Sequence, residues 1–245
     1  MRIIIAGEQP LAEELLQLCV DAGHETSLYL VETLAEAQRA HQLAEEASLA
    51  DVALECHNES KAAKRRLVEL LDGAKALHVS ALACSVTEAA SWVTRSKAVV
   101  GWGALPPMTK GGLMEVAPAL QSTPEAVSEA QAFWAGLGLR PTLVADGPGL
   151  VRARIVCALV NEAATALMEG VAAPADIDTA MKLGTNYPRG PLEWGDLIGL
   201  DVVLGVMRGL QDEFGEDRYR PCPLLTRYVL AGRLGKKVGR GFFEY

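Results

Sequence analysis

Residues Gly7-Glu8-Gln9-Pro10-Leu11-Ala12 have the spacing of a loop that could cradle a phosphate. A GxGxxG loop between strand and helix lets a pyrophosphate reach bare backbone N–H groups at the positively polarised start of the helix. Here the first glycine is present and Ala12 is acceptable at the third position, but Gln9 puts a side chain where the second glycine belongs. Pro10 removes an amide donor from the anion site. Glu8 adds a negative charge at the helix start, which steadies the helix by about 0.3–1 kcal/mol and repels a phosphate. The stretch therefore reads first as an ordinary β–α turn, the alternative being a modified dinucleotide site that uses Glu32 for a ribose.

Acid–base chemistry needs a carboxyl raised by burial or an imidazole that titrates near neutral pH. Glu115, in Leu113-Met114-Glu115-Val116, is the candidate carboxyl, with a structural or solvated carboxylate as its blander reading. Trp102, Pro106, Pro107 and Met108 would line an apolar pocket beside it, or serve simply as core and loop residues. Of the four histidines, His24 follows the helix stop at Gly23, His41 belongs to a charged helix, and His78 lies inside a strand. His57 comes just after a strand ending at Glu55 and faces the end of the sheet where ligands bind, so it is the best imidazole candidate. None has the spacing that would set it beside Glu115. The basic run Lys61, Lys64, Arg65, Arg66 could touch a phosphate, but a solvated helix face is its default reading. No metal-ligand spacing is present.

These residues must be positioned by an alternation of short apolar runs and helical stripes. Arg2–Ala6 reads as a strand, Pro10 opens a helix with Leu11, Leu15 and Cys19 on one stripe, and residues 26–31 read as the next strand. This β–α–β unit calls for a parallel sheet. Helices at 33–47, 59–71 and 123–137 alternate with strands at 51–55, 76–79, 98–100, 113–116 and 142–145. The expected class is α/β, a Rossmann-like doubly wound sheet domain over residues 1–146. Beyond Asp146-Gly147-Pro148-Gly149 the pattern turns helical, with helices at 151–169, 174–184 and 201–214 and only a final Phe242-Phe243-Glu244-Tyr245 hinting at a strand. Residues 147–245 are expected to form an all-helical second domain.

The chain has 245 residues, half of them apolar and 22% charged, enough for a sizeable core. A net charge of −8 argues against nucleic acid as a partner. Five irregularly spaced cysteines without a CxxC pair suit reduced thiols and a cytoplasmic setting. The apolar run after Met1 is too short for a signal peptide or a membrane span, so no membrane association is expected.

The helical part carries an ordered set of motifs. They run from Asn161-Glu162-Ala163 and Glu169-Gly170-Val171-Ala172 through Tyr187-Pro188-Arg189-Gly190-Pro191-Leu192-Glu193 and Ile198-Gly199-Leu200-Asp201. Arg218-Tyr219-Arg220-Pro221 with Pro223-Leu224-Leu225, then Leu234-Gly235 with Lys237, and a closing Gly239-Arg240-Gly241-Phe242-Phe243 complete it. This set resembles the C-terminal domain of short-chain L-3-hydroxyacyl-CoA dehydrogenases, among them 3-hydroxybutyryl-CoA dehydrogenase. Asp51-Val52-Ala53-Leu54-Glu55 with Glu59 and Lys64, Ser85-Val86-Thr87-Glu88, and Leu113-Met114-Glu115-Val116 extend the resemblance, more faintly, into the first half.

The resemblance implies an NAD-dependent oxidation of a 3-hydroxyacyl-CoA in a cleft between domains, and a homodimer formed through the helical domain. It implies cofactor contacts at Gly7, Glu59, Lys64 and Ser80, with Glu32 as the substitute ribose contact of a modified site, an acyl-CoA or small acid as ligand, and Glu115 as the glutamate of a His–Glu pair. The family's histidine, however, falls on Gly103, its serine on Leu82, its asparagine on Ala153, and its ribose-binding acid on Leu30. Only twenty residues, Val31 to Ala50, stand where the family inserts a long helical arm that helps hold coenzyme A. The expectation is a family member with lost or much reduced dehydrogenase activity. The alternatives are an active oxidoreductase with altered residues and an acid–base enzyme using Glu115 without nicotinamide.

Overall fold

The computed structural model describes residues 1–34 and 36–245 in full. In its first part, β1 (Arg2–Gly7), α1 (Leu11–Asp21), β2 (Glu25–Leu30), α2 (Ala37–Ala47), β3 (Val52–Cys56), α3 (Lys61–Leu70) and β4 (Ala76–Ser80) alternate. There follow α4 (Val86–Ala90), β5 (Val99–Gly103), β6 (Leu113–Pro118), α5 (Pro124–Gly136) and β7 (Arg140–Leu143). The strands form one sheet in the order β2-β1-β3-β4-β5-β6-β7. Strands β1 to β5 are parallel, as the β–α–β pattern requires, but β6 runs antiparallel to β5. The loop between β5 and β6 spans only residues 104–112. That is shorter than the dozen or so residues a parallel crossover needs, so the chain must turn back. Strand β7 follows α5 and pairs parallel with β6, copying its reversed direction.

Other expected boundaries also shift. The helix read from residue 33 begins at Ala37, after a short 3-10 turn, and the last strand lies at 140–143 rather than 142–145. Helix α4 was not evident from the residue pattern. The C-terminal Phe242–Tyr245 stretch forms no strand; isolated bridges link Gly235 to Arg240 and Arg240 to Glu244.

The helical part comprises α6 (Arg152–Met168), α7 (Pro174–Thr185), α8 (Pro191–Ile198), α9 (Leu200–Phe214) and α10 (Pro223–Leu230). Two of its buried aspartates act as backbone ties. Asp178 accepts the N–H groups of Leu192 and Glu193 at 2.9 and 2.8 Å, satisfying the start of α8. Asp196 accepts the N–H groups of Phe242 and Phe243 at 2.8 and 2.9 Å and so holds down the C-terminal stretch. A side chain at Gly241 would collide with the Asp196 carboxylate, which accounts for glycine there.

One sheet face packs against α2, α3 and α4 through residues such as Leu43, Leu67, Val68 and Val86. The other packs against α1 and α5, and its core continues without interruption through Cys157, Val160, Val203 and Leu225 into the helical part. Helix α9 comes directly onto the turns after β3 and β4. A Cβ at Gly205 would overlap the Asn58 carbonyl and one at Gly209 the Ala83 carbonyl, so two glycines one turn apart set this close approach. No described helix is long and apolar enough to cross a membrane.

Candidate functional site

The C-terminal ends of β1, β3 and β4 meet where an open α/β sheet binds its ligands. Gly7 closes β1, and a Cβ there would collide with the Cys56 thiol and main chain, so its glycine is required by strand packing. Glu8 is buried and turns inward. One carboxylate oxygen accepts the Asn58 N–H at 2.8 Å, and the other meets Nδ1 of His57. The Ser60 N–H donates to Nε2 of His57 at 3.1 Å, so the ring carries its proton on Nδ1, which touches Glu8 without a well-aligned hydrogen bond. His57 does face the ligand-binding end of the sheet, but its acceptor nitrogen is taken by the Ser60 N–H, so it is closed off as a base.

The network continues inward. Ser80 donates its hydroxyl to the Asn58 side-chain oxygen at 2.8 Å, and its N–H lies 3.3 Å from Glu55. Lys64 donates to Glu55 at 2.5 Å and to the His57 carbonyl at 3.0 Å. Lys64 is fully buried, which corrects the reading of residues 61–66 as a uniformly solvated basic face. A lysine here is tolerated because Glu55 neutralises it and the carbonyl takes a second proton. Ser80 and Lys64 thus have their polar groups committed to the protein interior. Glu32 lies on the exposed turn after β2.

These residues do not fit a dinucleotide pyrophosphate. The Glu8 carboxylate fills the place of an anion at the β1–α1 turn and takes up the Asn58 amide. Gln9 is tied to Glu13 at 2.6 Å, Pro10 offers no N–H, and the first turn of α1 adds the charges of Glu13 and Glu14. An acidic helix start of this kind is stabilised by the helix dipole and adverse to phosphate.

Glu115 stands opposite Gly103 in the β5–β6 register. It is buried, and its carboxylate oxygens lie 3.1 and 3.3 Å from the Arg152 N–H at the start of α6. Burial raises its pKa, opposed by that N–H and the Arg152 charge. Its chemistry here is that of a helix cap. A Cβ on Gly103 would lie 2.7 Å from Leu150 and 3.6 Å from Leu82, so aliphatic side chains close the space an imidazole would need. Leu82, Gly103, Glu115 and the α6 start therefore converge, and Ala153 lies buried on the first turn of α6.

The apolar pocket expected beside Glu115 takes another form. Trp102 packs into the core against Trp134 and donates its indole N–H to the Glu55 carbonyl at 3.2 Å. Pro106 and Pro107 instead line a small cavity of about 210 Å³ with Arg152, Val156 and Trp194.

Glu59 lies at the seam between sheet and helices, with Asp201 of α9 and Lys237 around it. Lys237 pairs with Asp201 and lies 3.9 Å from Glu59. Burial, a hydrogen bond to Asp201 and the nearby negative charges push the Glu59 carboxyl up to about 8, while Lys237 pulls it down. Asp201 and Lys237 belong to motifs visible in the sequence, but nothing in their spacing joins them to Glu59. Asn58 was likewise not singled out by its sequence context.

Among known proteins, the 3-hydroxyacyl-CoA dehydrogenase C-terminal domain matches residues 149–245. A probable 3-hydroxybutyryl-CoA dehydrogenase of Bacillus subtilis is 39% identical over 208 residues, covering 83% of this chain and 72% of that protein. The 3-hydroxybutyryl-CoA dehydrogenase of Bradyrhizobium diazoefficiens is 38% identical, over 66% of this chain and 55% of that one. The crystal structure of (S)-3-hydroxybutyryl-CoA dehydrogenase from Ralstonia eutropha superposes with a TM-score of 0.78 at 29% identity, covering 100% and 98% of the two chains. With sheet, helical part and relatives all in agreement, the chain belongs to the 3-hydroxyacyl-CoA dehydrogenase family.

Proposed function

We propose that this chain keeps the family's fold but has lost, or largely lost, nicotinamide-dependent hydride transfer, and that it acts in acyl-CoA metabolism as a cytoplasmic homodimer. The inward Glu8 carboxylate, seated on the Asn58 amide and His57 at the β1–α1 turn, is the observation that carries this reading. Residues 1–146 are the former cofactor domain and 147–245 the association domain. Exposed Ile155, Met168, Leu183 and Leu230 on the helical part support association.

A second reading, residual nucleotide affinity, is favoured by one feature. An apolar groove of about 390 Å³, between Val31 and Leu34 on the turn that carries Glu32 and Ala62, Ala63 and Leu67 on α3, has room for an adenine ring. An acid–base role for Glu115 is less well supported, since its carboxylate is engaged by the start of α6.

The test is turnover in both directions, with 3-hydroxybutyryl-CoA and NAD⁺ and with acetoacetyl-CoA and NADH, followed by nicotinamide absorbance. The expected result is no rate above background. Turnover on the order of 1–10 s⁻¹, ordinary for an enzyme, overturns the proposal.

A further inference from the structure

The cavity of about 210 Å³ at the start of α6 carries chemistry that the proposed function does not use. Leu105 and Pro106 of the loop after β5 wall it together with Val156 of α6 and Trp194 and Ile198 of α8. Arg152 is the one charged residue in this lining, and it is only partly buried. Among the described residues its guanidinium forms no ion pair and no hydrogen bond; Nε is enclosed, while the two terminal nitrogens stay accessible. The Trp194 indole N–H is likewise accessible and unpartnered. Two open, unspent donors, one of them cationic, suit an anion.

The surrounding carboxylates leave the guanidinium without a contact partner. Glu115 spends its oxygens on the Arg152 N–H, and its charge and that of the guanidinium attract only across a longer distance. Glu14 accepts the Met108 N–H at 2.9 Å, and Glu193, next to Trp194, is taken by Arg189 at 2.7 Å. Because Glu115 already caps α6, an anion here is held by side chains rather than by the helix end. A guanidinium takes a carboxylate through two parallel N–H bonds, whereas a neutral thioester or amide is a weaker acceptor. The aliphatic walls add a place for a hydrocarbon tail, which inorganic phosphate lacks.

We propose that this cavity binds a short aliphatic monocarboxylate, its carboxylate held by Arg152 and Trp194 and its tail by Leu105, Val156 and Ile198. The ligand is a free acid, not its coenzyme A thioester. The cavity shares no lining residue with the β1–α1 turn, so the inference stands whether or not the chain binds a nicotinamide cofactor.

The probes are butyrate and butyramide, which match in shape and differ in charge. Each is titrated into the ¹⁵N-labelled full chain at neutral pH and constant ionic strength while the Trp194 indole resonance, assigned by its loss in Trp194→Phe, is followed. Butyrate is titrated again with Arg152→Met, which keeps the aliphatic stem, and with Val156→Phe, which fills the cavity and leaves the cation. Butyrate should shift the resonance saturably in the millimolar range, ordinary for so small a ligand. Butyramide should bind about 10–100-fold more weakly, the worth of a hydrogen bond to a charged group. Arg152→Met and Val156→Phe should each weaken butyrate at least about tenfold. The proposal is overturned by the absence of a saturable butyrate shift in that range, by equal binding of the two probes, or by butyrate binding unchanged in either variant. The comparison of the two probes uses the unaltered chain and so decides the matter without either variant.

Discussion

Lys64 shows how much a single side chain's surroundings decide its role. In the sequence it is one of four basic residues on a helix; in the fold it is sealed beneath Glu55 and the His57 carbonyl. Replacing it with methionine strands the Glu55 carboxylate in the interior, and such a broken buried pair costs about 3–5 kcal/mol. Urea denaturation of Lys64→Met should show that loss, and the double variant Lys64→Met/Glu55→Gln, which removes the stranded charge and keeps an acceptor for the His57 and Ser80 N–H groups, should recover part of it. A single variant of undiminished stability would mean that Lys64 is not sealed in. Glu59 makes a prediction in pH. The folded state holds its proton up to about 8, against an ordinary value of 4.5, so the folded state binds that proton more tightly than the unfolded chain does. The stability it contributes is therefore complete below about pH 4.5 and is lost as pH rises through about 8. Glu59→Gln should flatten the fall in urea midpoint across that window; an unchanged slope would show that Glu59 titrates normally.

At the scale of elements, the α9 contact is the most exposed to test. Gly205 and Gly209 let the helix lie on the Asn58 and Ala83 carbonyls. Gly→Ala normally favours a helix, but here each added methyl strikes backbone and should cost about 1–3 kcal/mol net. Thermal denaturation of Gly205→Ala and Gly209→Ala should show lowered midpoints; raised midpoints would mean that α9 sits farther from the sheet. Most elements were legible in the sequence because strands and helices print different apolar periods. The reversal of β6 was not, since hydropathy carries no strand direction and only the short 104–112 loop encodes it. Helices α8 and α10 are eight residues each and showed as motif text rather than as a period. In the candidate site, the spacing of Gly7, Glu8 and Gln9 placed them at the β1–α1 turn, where the structure has them. The Asn58–Glu8 contact joins residues fifty positions apart, and no local pattern announces such a pairing.

Across the whole molecule, the chain retains the parts that build the family fold, and under the proposed function it has altered the parts that would hold and use the cofactor. The buried ties of Asp178 and Asp196, the glycines at crowded turns and the continuous core are all in place. The β1–α1 turn is filled from within by a carboxylate, and the space beside Gly103 by leucines. The account therefore stands or falls on the cofactor. Calorimetric titration of the purified chain with NADH, backed by nicotinamide fluorescence, is the most direct test. The expected result is no saturable binding into the millimolar range. Micromolar binding, about 8 kcal/mol of affinity, would contradict it and return the chain to the working dehydrogenases.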